Sequence, residues 1–181
     1  MIYLGIGSNL DSSFGNRFEN ISLAIRFLRE KKINLVKKSS FYETLSFPDI
    51  NKPKFINIVV AVETDMSPEK LMINLLSIEE KLERKRKKKN DPRTCDIDII
   101  DYNSKIINFD LHNLRLKIPH QSVSDRDFVL YPLKEISPNW VHPVSKITID
   151  NLIKNLKKTN NDITKLSQND INKYAKQRRI N

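Results

Sequence analysis

The residues Pro92-Arg93-Thr94-Cys95-Asp96-Ile97-Asp98-Ile99-Ile100-Asp101 decide the fold of this chain. From Cys95 to Ile99 apolar and acidic residues alternate, and successive side chains of a β-strand point to opposite faces. Asp96 and Asp98 therefore share one face of a predicted strand, and the aliphatic side chains share the other. Two readings of the acidic face stay open. It is either a solvated surface or a set of ligands for Mg2+, which binds carboxylates, phosphates and water.

A basic run precedes the acidic strand: Arg84-Lys85-Arg86-Lys87-Lys88-Lys89. It reaches Arg93 within one predicted loop, so many cations lie close in sequence to two anions. One interpretation is a solvated helix end whose cations complement the helix dipole. The other is a polyphosphate site, in which metal ions and Arg or Lys side chains bind the same phosphates.

The composition indicates one soluble globular domain with a sizeable core. The chain has 181 residues, of which 39% are hydrophobic and 30% charged. Its net charge of +10 permits nucleic acid, acidic membranes or phosphorylated small molecules as partners, without choosing among them. No apolar run is long enough to span a membrane and the first residues lack a signal-peptide layout. We therefore expect a cytoplasmic protein.

Cys95 is the only cysteine, which excludes an internal disulfide. Its place on the aliphatic face of the predicted strand favours a packed thiol over a nucleophile. His120 follows Pro119, and no other His or Cys lies at metal-site spacing, so a structural histidine is the ordinary reading and zinc is not expected.

The order of predicted elements indicates an α+β fold of the ferredoxin-like type, an antiparallel sheet with two main helices on one face. An extra hairpin around Asn103-Ser104 and short C-terminal helices would complete it. We expect a domain over residues 1–153, and a frayed helix or disordered tail over the Lys- and Asn-rich residues 154–181. The predicted elements are a strand at residues 2–6, a helix from Phe14 to about Lys31, strands at 33–44 and 55–62, a helix from Ser67-Pro68, and the acidic strand.

In this topology two strands send polar side chains to the same face. Ile56, Ile58, Val60 and Val62 would face the helices, which leaves Asn57 on the face that carries the two aspartates. Such convergence predicts a site. The alternative to a functional role is that the Asn57 amide forms hydrogen bonds to nearby backbone.

Other polar features are weaker signals. The turn Gly7-Ser8-Asn9-Leu10 could bind phosphate through backbone amides, although it lacks the glycine spacing of a phosphate loop. Glu79 lies beside the buried stripe of its predicted helix, where an ordinary surface acid is the simplest explanation.

With these motifs the chain resembles the 6-hydroxymethyl-7,8-dihydropterin pyrophosphokinase family from about residue 1 to 140. Glu83 departs from the family pattern, which favours Gly there. So do Asn90 and Asp91, where Trp and Gly are frequent. The motifs that carry the resemblance are Gly7-Ser8-Asn9-Leu10, Phe41-Tyr42-Glu43-Thr44, Phe55-Ile56-Asn57, Ile78-Glu79, Arg84-Lys85-Arg86, Pro92 to Ile99, Ile118-Pro119-His120 and Arg126-Asp127-Phe128-Val129-Leu130.

The resemblance implies transfer of pyrophosphate from ATP to 6-hydroxymethyl-7,8-dihydropterin, with release of AMP, in folate biosynthesis. It implies that Asp96 and Asp98 hold two Mg2+ ions and that Arg84 and Arg93 stabilise developing charge. The implied pterin contacts are Thr44, Leu45, Phe47, Phe55, Asn57, Asp96 and Phe128. The implied ATP contacts are Met72, Glu79, Arg84, Arg86, Lys87, Arg93, Ile99, Arg115, Lys117, His120 and Arg126.

The main alternative is a basic ferredoxin-like module that binds RNA on an open sheet face. Such a module needs exposed aromatic side chains on its central strands, and here two aspartates occupy that face. A purely structural protein gives no reason for Asn57, Asp96 and Asp98 to converge. We therefore expect small-molecule substrates, no nucleic-acid or membrane partner, and a monomer.

Overall fold

The computed structural model describes residues 1–85, 91–111, 114–156 and 163–177. The strands are β1 (Ile2–Ser8), β2 (Asn34–Lys38), β3 (Tyr42–Thr44), β4 (Phe55–Glu63), β5 (Asp96–Tyr102), β6 (Ile107–Leu111), β7 (Leu114–Ile118) and β8 (Thr164–Lys165). The α-helices are α1 (Arg17–Glu30), α2 (Pro68–Lys81), α3 (Asp127–Ile136), α4 (Ile149–Asn155) and α5 (Gln168–Gln177). None of the helices in these ranges combines the length and apolarity that a membrane span requires.

The main sheet runs in the order β5-β1-β4-β3-β8, with β2 also pairing with β4, and every pair is antiparallel. This confirms the ferredoxin-like prediction. The single strand expected over residues 33–44 is instead two strands, because Ser39 interrupts the pairing. Ser39 both donates its backbone N–H to the carbonyl of Val59 and accepts from the amide of Val59 through its hydroxyl.

Capping residues fix where the two main helices begin. Asn16 accepts hydrogen bonds from the backbone of Phe18 and Glu19, and the Glu19 carboxylate accepts from the amide of Asn16. This reciprocal cap starts α1 at Arg17, later than the predicted Phe14. Helix α2 begins as predicted, with Ser67 as its N-cap and Pro68 in its first turn.

The core lies on both sides of the sheet. Between the sheet and helices α1 and α2 lie the predicted apolar faces of β4 and β5. The α2 stripe, which packs there too, consists of Leu71, Leu75, Ile78 and Leu82. A second core on the opposite side joins Val59, Ala61 and Ile100 to α3 and α4. These helices cover part of the face that was expected to be open. What remains there is a recess beside Asn57, Asp96 and Asp98, which removes the broad stacking platform that an RNA-binding module would need.

The turn at Asn103-Ser104 forms, with φ of 53° and 56° at these residues. The strand that follows does not return along β5, because β6 pairs with β7 in a separate two-stranded sheet. The prediction that the strand after Asn103-Ser104 pairs with β5 was therefore wrong. The extra hairpin is formed by β6 and β7.

Of the tail that was expected to be a frayed helix or disordered, residues 154–156 and 163–177 are described. Residues 163–177 contain β8, which extends the main sheet beyond β3, and α5, whose Tyr174 packs against the main core. The domain boundary at residue 153 stays a prediction.

Candidate active site

Asp96 and Asp98 lie on one face of β5, opposite Gly7 and Gly5 of β1. The facing strand therefore presents no side chain over the carboxylates. At Gly7 a side chain would also be excluded by Asn57, since a Cβ atom would lie 2.8 Å from the Asn57 Oδ1 atom. The two glycines open a recess between β4 and β5 at the place where both strands carry polar groups.

Two guanidinium groups contact Asp96. Arg84 Nη1 donates to Asp96 Oδ1, and Arg93 Nη2 lies 2.8 Å from Asp96 Oδ2. Desolvation lowers the pKa of Arg84, but the charges of Asp96 and Glu79 outweigh it and the net shift is upward. Arg84 is therefore a permanent cation beside this carboxylate.

Glu79 is buried, with 3% of its surface exposed, so the reading of it as a surface acid is wrong. Its Oε1 atom lies 2.5 Å from Arg84 Nη1 and 2.8 Å from the backbone nitrogen of Ile97, which donates to it. The buried carboxylate thus joins the end of α2 to the start of β5. It compensates the charge of Arg84 at Nη1, the same nitrogen that contacts Asp96.

Asp98 has a different pair of neighbours. Arg126 Nη1 lies 3.2 Å from Asp98 Oδ2, and His120 Nε2 lies 4.0 Å from the same oxygen. Because His120 Nδ1 accepts a hydrogen bond from the amide of Ser122, the proton of the neutral ring resides on Nε2, which faces Asp98. Burial lowers the pKa of His120, opposed by the charge of Asp98.

A first cavity of about 410 Å³ is lined by every residue that was predicted to contact the pterin. Asn57 Nδ2 donates to the Thr44 hydroxyl at 2.9 Å, so its partner is a side chain and not the nearby backbone. The ring centroids of Phe55 and Phe128 lie 5.1 Å and 5.5 Å from the guanidinium carbons of Arg93 and Arg126. The predicted contacts that line this cavity are Thr44, Leu45, Phe47, Phe55, Asn57, Asp96 and Phe128, together with Arg93 and Arg126 from the ATP set.

A second cavity of about 420 Å³ lies against the β6-β7 hairpin. Asp98 and His120 line both cavities, so the carboxylate of Asp98 stands at their boundary. The exposed guanidinium of Arg115 pairs with Asp110 across the hairpin at 2.8 Å. The predicted ATP contacts on this cavity are Met72, Ile99, Arg115, Lys117 and His120.

Two predicted residues within the described part of the chain line neither cavity, and two more cannot be placed. Glu79 and Arg84 do not line them and lie behind Asp96. Arg86 and Lys87 fall outside the described residues. Arg84 therefore reaches the site through Asp96, and Glu79 through Arg84.

Sequence reasoning missed Asn9, which is 2% exposed. Its Oδ1 accepts from the backbone nitrogen of Arg93 at 2.7 Å, and its Nδ2 donates to the Pro53 carbonyl at 3.0 Å. The amides of Asn9 and Leu10 both donate to the Arg93 carbonyl, so they are not the phosphate-binding amides that the turn suggested. The only signal available in the sequence was an Asn directly after Gly7-Ser8.

Other missed residues are acids and small side chains from the segment after β7. Asp125, Asp127, Ser122 and Val123 line the first cavity. Burial raises the pKa of Asp127, although hydrogen bonds from the backbone of Phe128 and of Asp127 itself oppose the shift. The sequence motif around Phe128 drew attention to the aromatic residue and left its acidic neighbour unassigned.

Cys95 and Glu83 behave as local structural residues. Cys95 is buried, and burial raises the pKa of its thiol well above the usual range, which suits a packed thiol. Glu83 adopts φ of 63°, in the left-handed region that favours glycine. Its carboxylate accepts from the amide and hydroxyl of Ser13 at 2.9 and 2.7 Å, which helps to hold this conformation.

The donor set at the cavity boundary suits Mg2+ whose coordination is completed by a substrate. Asp96 and Asp98 offer two carboxylates on one strand face, with side chains 20% and 40% exposed. The described residues contain no cluster of three or more His, Cys, Asp or Glu side chains arranged around a metal. A cation held by two carboxylates needs phosphate and water oxygens for its remaining ligands, as Mg2+ commonly takes them.

Residues 3–138 match the family model of 7,8-dihydro-6-hydroxymethylpterin-pyrophosphokinase. A 2-amino-4-hydroxy-6-hydroxymethyldihydropteridine pyrophosphokinase of Aquifex aeolicus is 37% identical over 143 residues, covering 79% of this chain and 84% of the relative. The enzyme of the same name from Haemophilus influenzae is 36% identical, covering 84% and 90%. A folic acid synthesis protein of Pneumocystis carinii is 40% identical over 82% of this chain, which spans 19% of that longer protein.

Solved structures agree on the fold. The HPPK-DHPS protein of Plasmodium falciparum superposes with a TM-score of 0.63 at 18% identity, covering 84% of this chain and 44% of that one. Together with the matched region of residues 3–138, these findings show that the chain belongs to the 7,8-dihydro-6-hydroxymethylpterin-pyrophosphokinase family.

Proposed function

We propose that the two cavities bind the two substrates of the family's pyrophosphoryl transfer in folate biosynthesis. The first would bind 6-hydroxymethyl-7,8-dihydropterin, and the second would bind ATP. The observation that carries this assignment is the position of Asp98 and His120, which line both cavities. A phosphate chain that enters from the second cavity would meet a hydroxyl group from the first beside the carboxylate pair.

In the proposed reaction the hydroxymethyl oxygen attacks the β-phosphorus of ATP. The bond from that phosphorus to the oxygen bridging the α- and β-phosphates breaks, so AMP leaves with the bridging oxygen and the hydroxyl proton is lost to the surroundings. Positioning and charge stabilisation are the main contributions that a protein makes to such a step.

The proposed roles of the first cavity follow from its lining. The linked side chains of Asn57 and Thr44 would read the hydrogen-bonding edge of the pterin, since their 2.9 Å hydrogen bond fixes the amide orientation. Phe55 and Phe128 would contact the ring faces, with Leu45 and Phe47 closing the outer side. The cations behind both aromatic rings, Arg93 and Arg126, lie within reach of a bound phosphate.

For ATP, the proposed contacts in the second cavity are Met72, Ile99, Arg115, Lys117 and His120, with Arg126 at its boundary through Asp98. Arg93 would stabilise the negative charge that develops on the leaving α-phosphate oxygen, and Arg84, which lines neither cavity, would add its positive charge from beside Asp96. The contacts expected of Arg86 and Lys87 stay predictions from the family resemblance. Glu79 is better described as a positioning residue for Arg84.

Asp96 and Asp98 are the residues that would hold magnesium, and two ions are the proposed number. The metal would neutralise phosphate charge and polarise the phosphoryl oxygens. The chain's own part is to present two carboxylates on one strand face, with Arg84, Arg93 and Arg126 as their ion-pair partners. A cytoplasmic location and a monomeric state also stay predictions.

The test is an AMP-release assay with ATP, with and without 6-hydroxymethyl-7,8-dihydropterin. We expect AMP to form only when both substrates and Mg2+ are present. Asp98→Ala should lower the rate by at least about a hundredfold while leaving the circular dichroism spectrum unchanged. The exposed Asp65 supplies the control, because Asp65→Ala removes an acid that lines neither cavity.

Asp98→Asn separates the metal assignment from the reaction. It keeps the side-chain shape but removes the charge, so the Mg2+ concentration for half-maximal activity should rise. Mn2+ titration by electron paramagnetic resonance, with a non-hydrolysable ATP analogue bound, counts the ions. Full activity of Asp98→Ala would reject the metal assignment, and AMP release that ignores the pterin would reject the substrate assignment.

A further inference from the structure

Residues 163–177 lie beyond the matched family region and fold back onto the strand that carries the Thr44 side of the first cavity. In β8, Lys165 pairs with Tyr42 and Thr164 pairs with Glu43. The amide of Leu166 donates to the carbonyl of Phe41 at 2.9 Å. The segment thus occupies the edge of β3 that β4 leaves unpaired, along a strand of only three residues.

Helix α5 is attached to the main core by its apolar side. Leu166, Ile171 and Tyr174 pack against that core, and the Tyr174 ring lies 5.2 Å from the ring of Phe18 in α1. The helix begins with reciprocal bonds between Ser167 and Asp170, whose carboxylate accepts from the Ser167 amide at 2.9 Å. Because α5 is capped and packed against the core, its own position is fixed. Its side chains can therefore hold neighbouring residues in place, as a loose tail could not.

Tyr174 also makes a polar contact with β3. Its hydroxyl donates to Glu43 Oε1 at 2.7 Å. The Glu43 side chain, 12% exposed, lies 3.1 Å from the Lys54 ammonium and 3.8 Å from Arg17 Nη1. Arg17 in turn donates to the Lys54 carbonyl at 2.6 Å. Glu43 therefore joins α5, α1 and the residue before β4.

The residues on either side of this junction line the first cavity. Thr44 follows Glu43 and accepts the hydrogen bond from Asn57, and Phe55 follows Lys54. A second contact acts on the same strand, since Glu135 of α3 accepts from the Tyr42 hydroxyl at 2.8 Å and lies 3.4 Å from Lys165 of β8. Displacing the C-terminal segment would therefore loosen Thr44 and Phe55 first.

We propose that residues 163–177 are a positioning element for the first cavity, in which Tyr174 acts through Glu43 to hold Thr44 and Phe55 against the bound substrate. This rests on the proposed function only in taking the first cavity as the pterin site. It predicts an effect on one substrate and not on the other, because the second cavity shares no residue with this junction.

The experiment compares kcat and the two KM values of full-length variants, each assayed well below its Tm. Tyr174→Ala should raise the KM for the pterin by about fivefold or more, and Tyr174→Phe, which keeps the ring, by about threefold. The KM for ATP should change by less than about twofold. Asn169→Ala, at an exposed position of α5, is the matched control and should leave all three constants unchanged.

Two further variants separate positioning from a general loss of stability. Phe27→Leu weakens the core on α1 without touching Glu43, and should lower the Tm while leaving the pterin KM unchanged. Tyr174→Phe and Glu43→Ala should be non-additive in the pterin KM, because both break the same bond.

An unchanged pterin KM in Tyr174→Ala would overturn the proposal, as would a parallel rise of both KM values or an equal effect of Phe27→Leu. If the wild-type chain releases no AMP in response to pterin, it is the proposed function that fails. If the wild type is active and Tyr174→Ala keeps its pterin KM, only the positioning role fails.

Discussion

Glu79 and Arg84 form a buried ion pair in which Glu79 Oε1 lies 2.5 Å from Arg84 Nη1, the same nitrogen that contacts Asp96. The Glu79 oxygen also accepts from the backbone of Ile97, directly after Asp96. One carboxylate therefore fixes both a proposed catalytic cation and the strand that carries the proposed metal ligands. This makes Glu79 a positioning residue although it lines neither cavity.

Glu79→Gln should lower kcat by about tenfold and change the KM for ATP little, because the neutral amide no longer holds Arg84 as firmly against Asp96. The free energy of unfolding should fall by about 1–3 kcal/mol, since a charged hydrogen bond in a buried place is weakened. Steady-state AMP release and urea unfolding measure the two effects. Glu80→Gln changes the exposed neighbour on the same helix and should be silent. A wild-type kcat in Glu79→Gln would contradict the positioning role.

Asn9→Ala tests the support of the Arg93 backbone. The substitution removes the acceptor for the Arg93 amide and one of the two donors to the Pro53 carbonyl, which keeps its hydrogen bond from the Ser46 hydroxyl. We expect stability to fall by about 1–3 kcal/mol and kcat/KM by about tenfold, because Arg93 loses its fixed place beside Asp96. Asn155→Ala, at the exposed end of α4, is the control. If kcat/KM stays at the wild-type value while stability falls, Asn9 supports the fold alone.

The two glycines of β1 provide a matched pair. Gly7→Ala would bring a Cβ atom to 2.8 Å from Asn57 Oδ1, so the amide must move away from its bond with Thr44. Gly5→Ala would place its Cβ atom 3.4 Å from Ile100 Cδ1, an apolar contact that small adjustments relieve. We expect the pterin KM to rise by about tenfold in Gly7→Ala and to change by less than about twofold in Gly5→Ala. Similar pterin KM values in the two variants would argue against a role for Asn57 in recognising the hydrogen-bonding edge of the pterin.

The parts of the site that the sequence predicted are those set by strand alternation. The alternation from Cys95 to Ile99 requires Asp96 and Asp98 to share a face, and the alternation in β4 places Asn57 on the same side. The structure joins these faces because β1 lies between β4 and β5 and carries glycine at the facing positions. Periodicity also predicted the α2 stripe, every member of which is buried.

The parts that the sequence did not predict depend on partners distant along the chain. The local sequence around Glu79 is that of a surface acid. Only the packing of β5 beside α2 buries its side chain. The tail has few apolar residues, yet Ile171 and Tyr174 pack against the main core. The polar composition of residues 154–181 predicted a frayed helix or disorder, because composition counts apolar residues without showing what they contact.

The stability of the chain in acid should depend on Glu135. Desolvation raises the pKa of Glu135, but hydrogen bonds from Ser40 and Tyr42 outweigh it, and the net shift is below the usual value of 4.5. A lowered pKa in the folded state means that the stabilisation is present above the unfolded-state pKa and is lost as pH falls through the folded-state pKa. The wild-type Tm should therefore decline from about pH 5 downward, partly through this residue.

Glu135→Gln isolates that part, because it keeps the side-chain shape and removes the titrating group. We expect a lower Tm than wild type at pH 7 and a shallower decline of Tm between about pH 5 and pH 3. Differential scanning calorimetry across this range measures both slopes, with the exposed Glu63→Gln as control. Parallel Tm curves for wild type and Glu135→Gln would show that Ser40, Tyr42 and Lys165 do not stabilise the ionised carboxylate.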